Sequence, residues 1–355
     1  MNNSDKARWL IYGANGYTGE LIAREAVKRG LNPIVAGRNR DEIHKLAENL
    51  GVESRVFGLD DSQNLQKYIQ DCEIVLHCAG PFSVTASPMI EACLMTQTHY
   101  LDITGEIGVF EYAHAMGERA ADANVVLCPG VGFDVIPTDC LAATLKDALP
   151  DATHLSLGFD SRSGMSPGTA KTTVEGLSQG GKVRRDGRIT TVPLAYKARM
   201  IDFGDGEKIS TTIPWGDVST AYYSTGIPNI EVFTPSTSGM IRGMKMLNFF
   251  RPILQLSWVQ KFLKARIDKA ISGPSEAVRI TQPTFIWGQA SNAQGDTKTA
   301  HLRTDNAYTL TISGALTVVE FLRMHAADGG AYTPSKLMGA SLVTQLPGSG
   351  AFELT

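Results

Sequence analysis

The chain has 355 residues, of which 43% are hydrophobic and 19% are charged. This length predicts two domains with sizeable cores, and the composition is typical of a globular protein in water. The formal net charge of −3 excludes the strongly basic balance that nucleic-acid binding favours, so we expect no nucleic acid as a partner.

Cysteine usage and hydropathy indicate a cytoplasmic protein. The five cysteines form no CxxC pair, and Cys78, Cys93 and Cys128 sit in apolar segments, as reduced thiols do. The N-terminal stretch MNNSDKARW is polar and lacks the apolar core of a signal peptide. No run of about 18 apolar residues predicts a membrane-spanning helix. The histidines are scattered without ligand spacing, so we expect no metal site.

A glycine-rich turn follows the first predicted strand, residues 9–12. Its glycines recur every third residue and lead into an apolar helical pattern. In a dinucleotide fold, one such glycine permits the tight turn after the strand, and one lets the backbone contact the pyrophosphate. The third lets the helix pack closely on the strand. The helix N-terminus also favours an anion. The residues predicted to hold the cofactor phosphates are Gly13, Asn15, Gly16, Tyr17, Thr18 and Gly19. An ordinary strand-to-helix turn is the alternative, because GxxGxxG departs from the commonest spacing.

The second predicted strand, residues 33–37, ends in Arg38. An NAD site usually has an acid here for the ribose hydroxyls, whereas an NADP site has an arginine for the 2′-phosphate. No acid follows until Asp41, which we predict to cap the helix at 41–50. A guanidinium binds a phosphate through two hydrogen bonds, and a carboxylate would repel it. Arg38 therefore favours NADP(H), with a solvated surface arginine as the alternative.

Strands and helices keep alternating to residue 150, which predicts a parallel sheet with crossover helices. We predict strands at 54–59, 73–78, 98–103 and 125–128, and helices at 62–70, 86–97, 107–123 and 138–149. Ligands of such sheets bind at the carboxyl ends of the strands. The turns that follow these strands complete the predicted cofactor site with Asp60, Ala79, Gly80, Pro81, Phe82, Gly105 and Glu106.

The pattern changes after Pro150, where β-rich segments and hairpin turn signals begin. The predicted fold class is α/β: a Rossmann-type doubly wound parallel sheet over 1–150, and a second α+β domain over 151–330 with a mainly antiparallel sheet. The segment 238–272 is apolar and basic. We interpret it as a helical insertion packed on the domain or on a partner subunit, with a membrane-surface helix as the alternative. The tail, 331–355, is predicted to pack back onto the first domain.

The motifs together resemble the saccharopine dehydrogenase-like family of NADP-binding oxidoreductases, which includes bacterial trans-acting enoyl reductases. The matching segments are GANGYTG (13–19), AGR (36–38), CAGPF (78–82), EAC (91–93), THYLDITGE (98–106), PGVGFDVIP (129–137) and TPSKLMG…AFEL (333–354). The resemblance implies a Rossmann domain and a second α/β domain, with NADP(H) in the crevice between them. It leaves the substrate open, since one fold carries many chemistries.

The cofactor transfers the hydride, while the protein positions the substrate and supplies a proton. We expect Asp134 and Tyr100 to face the substrate, with Asp102 as a further catalytic candidate. Two structural alternatives stand beside this. Tyr100 and Asp102 alternate along one strand and could bond each other, and Asp134 could cap the following helix. Lys171 and Thr169 are candidates from the second domain.

These observations predict an NADP(H)-dependent oxidoreductase that acts on a carbonyl, imine or enoyl group of a small-molecule or lipid-linked substrate. We expect a homodimer. The alternative is a non-catalytic NADP(H)-binding sensor or scaffold, at a membrane or in a complex.

Overall fold

A computed structural model of the protein describes residues 8–162, 164, 166–270, 276 and 281–355. The strands are β1 (Arg8–Tyr12), β2 (Ile34–Gly37), β3 (Ser54–Val56), β4 (Cys72–His77), β5 (His99–Asp102), β6 (Val126–Cys128), β7 (His154–Ser161), β8 (Gly181–Arg185), β9 (Arg188–Val192), β10 (Ala198–Asp202), β11 (Glu207–Thr212), β12 (Asn229–Pro235), β13 (Thr284–Ser291), β14 (Thr297–Thr304), β15 (Gly330–Ala331) and β16 (Glu353–Leu354). The α-helices are α1 (Tyr17–Lys28), α2 (Arg40–Leu50), α3 (Ser62–Ile69), α4 (Phe82–Thr96), α5 (Ile107–Ala115), α6 (Gly117–Asp122), α7 (Ile136–Ala148), α8 (Pro167–Gln179), α9 (Asp217–Thr225), α10 (Ser238–Leu254), α11 (Ser257–Ala270), α12 (Ala307–Met324) and α13 (Pro334–Met338).

The chain divides into two compact units, and each is built from two separate stretches of sequence. The first unit comprises Met1–Asp134 and Thr311–Met338, and the second comprises Val135–Leu310 and Gly339–Thr355. The boundary after Asp134 lies before α7 rather than after it, which differs from the predicted boundary at residue 150.

The packing of α7 explains this difference. Leu141 and Leu145 of α7 are fully buried. They press on Gly288 of β13, where an added Cβ would lie 2.2 Å from Leu141 Cδ2 and 2.8 Å from Leu145 Cδ1. The apolar face of α7 therefore packs on the sheet of the second unit. The periodicity of its sequence predicts an apolar face but not the sheet on which that face packs.

The tail is also shared between the two units. β15 adds to the first sheet, where Gly330 pairs with Val126 in parallel. β16 instead pairs antiparallel with β14 of the second sheet, with Ala300 opposite Leu354. Residues 331–338 lie in the first unit, and the prediction that the tail packs on the first domain is corrected for 339–355, which lie in the second unit.

The sheet of the first unit has the order β15-β6-β5-β4-β1-β2-β3, and every neighbouring pair is parallel. The order reverses direction between β1 and β4, which is the switch point where doubly wound sheets bind ligands. β1 is buried from Trp9 to Tyr12, because helices cover both faces of the sheet. The predicted fold class is confirmed for this unit.

Three helices of the first unit have bounds that differ from the predicted ones. Asn39, rather than Asp41, is the N-cap of α2, and its Oδ1 accepts a hydrogen bond from Glu42 N at 3.4 Å. α4 begins at Phe82, four residues before the predicted start. The predicted helix 107–123 is two helices, α5 and α6, which meet at Met116.

The second unit is an α+β fold with a mixed sheet in the order β10-β11-β12-β7-β13-β14-β16. Most pairs are antiparallel, as predicted, but β12 and β7 run parallel. The hairpin of β8 and β9 joins the edge of β12.

The segment 238–272 forms two helices, α10 and α11, and residues 271–272 lie outside the described part of the chain. Ile241 is the buried residue of α10. Both helices contact α8, through Arg251 and Gln260, while large apolar side chains of both helices are exposed. The interpretation of this segment as an insertion packed on the domain or on a partner subunit, with a membrane-surface helix as the alternative, stays a prediction. In the described chain, every helix is too short or too polar to cross a bilayer.

Candidate functional site

The glycine turn after β1 is built by close backbone contacts. Gly13 has φ +81°, and its N–H donates to Ala36 O at 2.7 Å. A Cβ on Gly13 would lie 2.7 Å from Ala79 N, so a side chain here would push the turns after β1 and β4 apart. A Cβ on Gly19 would lie 2.3 Å from Gly13 O. Gly13 and Gly19 thus serve the turn and helix packing, as the sequence predicts.

The N-terminus of α1 fits an anion. Gly16 is its N-cap, and no side chain caps the helix. The next two helices in the chain are capped by the side chains of Asn39 and Asp61. Tyr17 and Thr18 form the uncapped first turn, where backbone N–H groups and the helix dipole favour a phosphate.

Asn15 links this turn to the second strand. Its Nδ2 donates to Glu42 Oε2 at 2.6 Å, and its Oδ1 lies 2.7 Å from the position of a Cβ on Gly37. The side chain therefore holds the turn against the end of β2. Because the side chain of Asn15 is engaged in this way, its predicted contact with the cofactor would be made by its backbone.

Arg38 and Arg40 flank the end of β2, and both are exposed. Neither guanidinium forms an ion pair with a described residue, which leaves both available to an anion. Arg38 and Asp60 both act on the buried Tyr12. Burial raises the pKa of Tyr12 to about 12, Arg38 opposes the rise, and Asp60 adds to it. Arg38 and Asp60 thus lie at the same edge of the sheet, as the predicted cofactor site requires.

The turn after β4 adjoins the glycine turn. Cys78 N donates to Tyr12 O at 2.7 Å, which aligns the ends of β1 and β4. Thr85 Oγ1 lies 2.7 Å from Ala79 O and 3.1 Å from Pro81 O, and so holds the turn from the following helix. Gly80, between them, is exposed. The predicted cofactor residues Ala79, Gly80, Pro81 and Phe82 are therefore brought beside Gly13.

Glu106 does not lie free beside a phosphate site. Its Oε1 accepts from Phe82 N at 2.9 Å, and its Oε2 accepts from Ser83 N at 2.7 Å. The carboxylate thus occupies the anion position at the start of α4, where a second anion would be repelled. The prediction that Glu106 binds the cofactor is corrected to a positioning role for the turn at 79–82.

Tyr100 and Asp102 are enclosed in the core. Both are 0% exposed, and Tyr100 OH donates to Asp102 Oδ2 at 2.7 Å. Asp102 Oδ1 accepts from Thr104 N at 3.0 Å and Gly130 N at 2.8 Å. Burial raises the pKa of Asp102 to about 6, and burial with the adjacent Asp102 raises that of Tyr100. The expectation that Tyr100 faces a substrate is corrected: the pair fixes the loops after β5 and β6.

Asp134 differs from these residues. It ends the loop after β6 and is partly exposed. Its Oδ2 lies 2.9 Å from the position of a Cβ on Gly105, so the carboxyl rests on bare backbone. No described residue donates a hydrogen bond to it or pairs with it. Burial raises its pKa to about 7. It does not cap α7, because Val135 is the N-cap and no side chain bonds there.

Two supporting residues were not identified from the sequence. Phe133 N donates to Thr311 Oγ1 at 3.0 Å, so α12 holds the loop that carries Asp134. His77 is fully buried, and burial lowers its pKa to about 3. Its Nε2 lies 2.9 Å from Thr85 Oγ1, below the turn at 79–82. Neither residue belongs to a local motif, so only the folded chain reveals them.

The candidates from the second domain lie on α8. Thr169 N donates to Ser166 Oγ at 3.2 Å and so takes part in the N-cap of that helix. Lys171 lies one half-turn further along α8. Both belong to the second unit.

Comparisons with known proteins agree with this geometry. Residues 9–128 match the family model described as the saccharopine dehydrogenase NADP binding domain. A saccharopine dehydrogenase-like oxidoreductase of Mus musculus is 28% identical over 150 residues, which cover 37% of this chain and 35% of that protein. A protein of Mycobacterium tuberculosis described as a trans-acting enoyl reductase is 27% identical over 185 residues, 48% of this chain and 44% of that one. The matches thus span less than half of the length of these relatives.

The fold has a counterpart among solved structures. Apo saccharopine dehydrogenase (L-Glu forming) of Saccharomyces cerevisiae superposes with a TM-score of 0.64 at 13% identity. The superposition covers 98% of this chain and 99% of that one. The superposition shows a shared fold, and the match of residues 9–128 to the saccharopine dehydrogenase NADP binding domain confirms the resemblance seen in the sequence and a nicotinamide dinucleotide as cofactor.

Proposed function

We propose that the protein is an NADP(H)-dependent oxidoreductase in which Asp134 exchanges a proton with the substrate. The observation that carries this proposal is the carboxyl of Asp134. It lies beyond the carboxyl end of β6, rests on Gly105, and has no partner among the described residues. A carboxyl group that is held this way in a fold that binds a redox cofactor is a candidate acid and base.

The residues of the first unit fit NADP(H). Gly13, Gly16 and the first turn of α1 would hold the pyrophosphate, because bare backbone and an uncapped helix end meet there. Arg38, with Arg40 beside it, would bind the 2′-phosphate. When bound, the cofactor supplies or accepts a hydride at its nicotinamide ring.

Asp134 is suited to both directions of such a reaction. With a pKa of about 7, its carboxyl is present in both protonation states near neutral pH. In reduction, the substrate carbon gains a hydride and the protonated Asp134 gives its proton to the oxygen, nitrogen or carbon that takes up the electron pair. In oxidation, the Asp134 carboxylate takes that proton back.

Asp102 and Tyr100 are positioning residues in this account. Asp102 holds Gly130 N and, through its own backbone O, Val131 N at 2.8 Å. These bonds fix the start of the loop, and Thr311 fixes it near its end. The loop then presents Asp134 in one place, which an acid–base residue requires.

The substrate class is proposed from the chemistry and from the relatives. The yeast neighbour is named for saccharopine and the mycobacterial relative for enoyl reduction. A C–N bond, an imine, a carbonyl and an enoyl group all react by one hydride and one proton. We propose a substrate of this kind, either a small molecule or a lipid-linked one.

The test measures NADPH oxidation, or NADP⁺ reduction, with saccharopine, 2-oxo acids plus primary amines, and enoyl thioesters. We expect turnover with one of these classes and a loss of about 10²-fold or more in Asp134→Asn, with NADPH affinity unchanged. The rate of reduction should fall as pH rises through about 7, because the protonated carboxyl is the donor. The rate of oxidation should rise over the same range.

Asp122→Asn is the matched control, because Asp122 is an exposed acid at the end of α6. It should keep full activity. Equal turnover in Asp134→Asn and wild type would contradict the role of Asp134. Binding of NADPH without turnover of any class would favour the non-catalytic sensor or scaffold instead.

A further inference from the structure

α10 and α11 carry large apolar side chains that the second unit does not cover. Phe249 is 85% exposed, Trp258 is 67% exposed, and Met246 is 63% exposed. Further exposed apolar residues on the two helices are Met240, Phe250, Ile253 and Phe262, and Leu256 is exposed between the helices. Exposed aromatic residues grouped in this way mark an interaction surface more often than scattered single residues do.

The apolar residues share a face on each helix. In α10, Met246, Phe249, Phe250 and Ile253 follow the spacing i, i+3, i+4 and i+7, which places them on one side of a helix. In α11, Trp258 and Phe262 follow the spacing i and i+4. We call the exposed apolar faces of these two helices the α10–α11 surface.

Polar side chains anchor the opposite sides of both helices. Asn248 Oδ1 accepts from Leu194 N at 2.8 Å, and Arg251 Nη2 donates to Gln179 O at 2.7 Å. Gln260 Nε2 donates to Val174 O of α8 at 3.4 Å. These bonds fix the helices on the body of the unit through polar contacts. The α10–α11 surface therefore stays exposed while both helices are docked.

The charges on the two helices are predominantly positive. Arg242, Lys245, Lys261 and Arg266 are exposed, and none of them forms an ion pair with a described residue. The sequence of α10 contains no aspartate or glutamate, and the sequence of α11 contains one acid, Asp268. The surface thus combines aromatic and aliphatic groups with an excess of unpaired cations.

We propose that the α10–α11 surface docks onto an anionic lipid membrane. Apolar side chains would enter the interface, where Trp and Phe are favoured, and the cations would meet the negative headgroups. A symmetric contact between two copies through this surface would bring these cations together with one acid in each copy, Asp268, and the excess of like charge disfavours self-association. The proposal concerns a different surface from the cofactor site and does not depend on the activity.

The test is co-sedimentation of the full chain with vesicles of phosphatidylcholine alone or with added phosphatidylglycerol. We expect binding to the vesicles that contain phosphatidylglycerol, and less binding at high salt. Lys245→Ala with Lys261→Ala should lower the partition coefficient about fivefold per lysine. Phe249→Ser with Trp258→Ser should lower it about tenfold or more, because two buried rings are lost.

Met324→Ser is the matched control, because Met324 is 71% exposed on α12 in the first unit. It should bind vesicles as the wild type does, and all variants should keep NADPH affinity as a check on folding. No binding to either vesicle, or equal binding by the aromatic variant, would overturn the proposal. So would a dimer in light scattering that Phe249→Ser breaks, without vesicle binding by the wild type.

Discussion

At the scale of single residues, Asp134 shows how a buried carboxyl can oppose stability. Burying a carboxyl without a partner disfavours its ionised form, and this is why its pKa is raised to about 7. Asp102 is buried more deeply, yet three donors satisfy it. Asp102 at the end of β5 and Asp134 in the loop after β6 therefore differ in the donors that surround them.

The first prediction concerns the stability of Asp134→Asn. In the unfolded chain Asp134 ionises near pH 4, whereas in the folded chain it ionises near pH 7. The folded state therefore binds more protons between these values, and the wild type loses stability as pH rises across this range. Asn removes this effect, so Asp134→Asn should raise the free energy of unfolding at pH 8 by about 1–4 kcal/mol.

Urea unfolding at pH 8 and pH 4 measures this difference. The variant should be more stable than wild type at pH 8. The difference should shrink at pH 4, because Asp134 of the folded wild type is then protonated and uncharged, as Asn is. A variant that is less stable than wild type at pH 8 would show that the carboxylate has a stabilising partner.

The sequence predicts some residue roles and misses others for a physical reason. The position of Asp134 after a strand is visible in the sequence, as is the alternation of Tyr100 and Asp102 that lets them bond each other. Whether an acid has donors around it depends on Gly130 and Thr104, which reach Asp102 only in the folded chain.

At the scale of elements, Glu106 connects two crossover units of the first sheet. Its carboxylate follows β5 and accepts from the first two N–H groups of α4, which follows β4. This cap explains why α4 begins at Phe82 rather than at the predicted residue 86. A local helix pattern contains no signal for a cap that lies 24 residues away.

The second prediction is that Glu106→Gln lowers both stability and cofactor affinity. The amide keeps one acceptor and turns an NH₂ group towards the other N–H, so one hydrogen bond and the charge–dipole attraction are lost. We expect a loss of about 1–3 kcal/mol in the free energy of unfolding. NADPH should bind more weakly because the turn at 79–82 loosens.

Chemical unfolding and NADPH titration measure these two effects. Glu118→Gln is the matched control, because Glu118 is exposed in the first turn of α6. It should change neither quantity. Tighter NADPH binding in Glu106→Gln would contradict the positioning role and would indicate that Glu106 repels the cofactor directly.

At the scale of the whole molecule, the sequence predicts the classes of both units and misplaces their boundaries. The alternation of strands and helices, with glycines after β1, is enough to predict a doubly wound sheet. The assignment of α7 depends on the fit of Leu141 and Leu145 against Gly288. That fit joins residues more than 140 positions apart, and no local pattern reports it.

The exposure of the apolar faces of α10 and α11 likewise depends on contacts that the local sequence does not show. An apolar helical face is visible in the sequence, but its partner is not. In the structure, polar side chains and Ile241 contact the body of the unit, and the aromatic side chains remain exposed.

The central claim is that the glycine turn and Arg38 form an NADP(H) site, and the most direct test is the affinity of Arg38→Ala for NADPH and NADH. Loss of a guanidinium that binds the 2′-phosphate should weaken NADPH about 10- to 100-fold and change NADH by less than about threefold. Lys45→Ala, which removes an exposed cation from α2, should alter neither affinity. Equal weakening of both cofactors in Arg38→Ala would contradict the account.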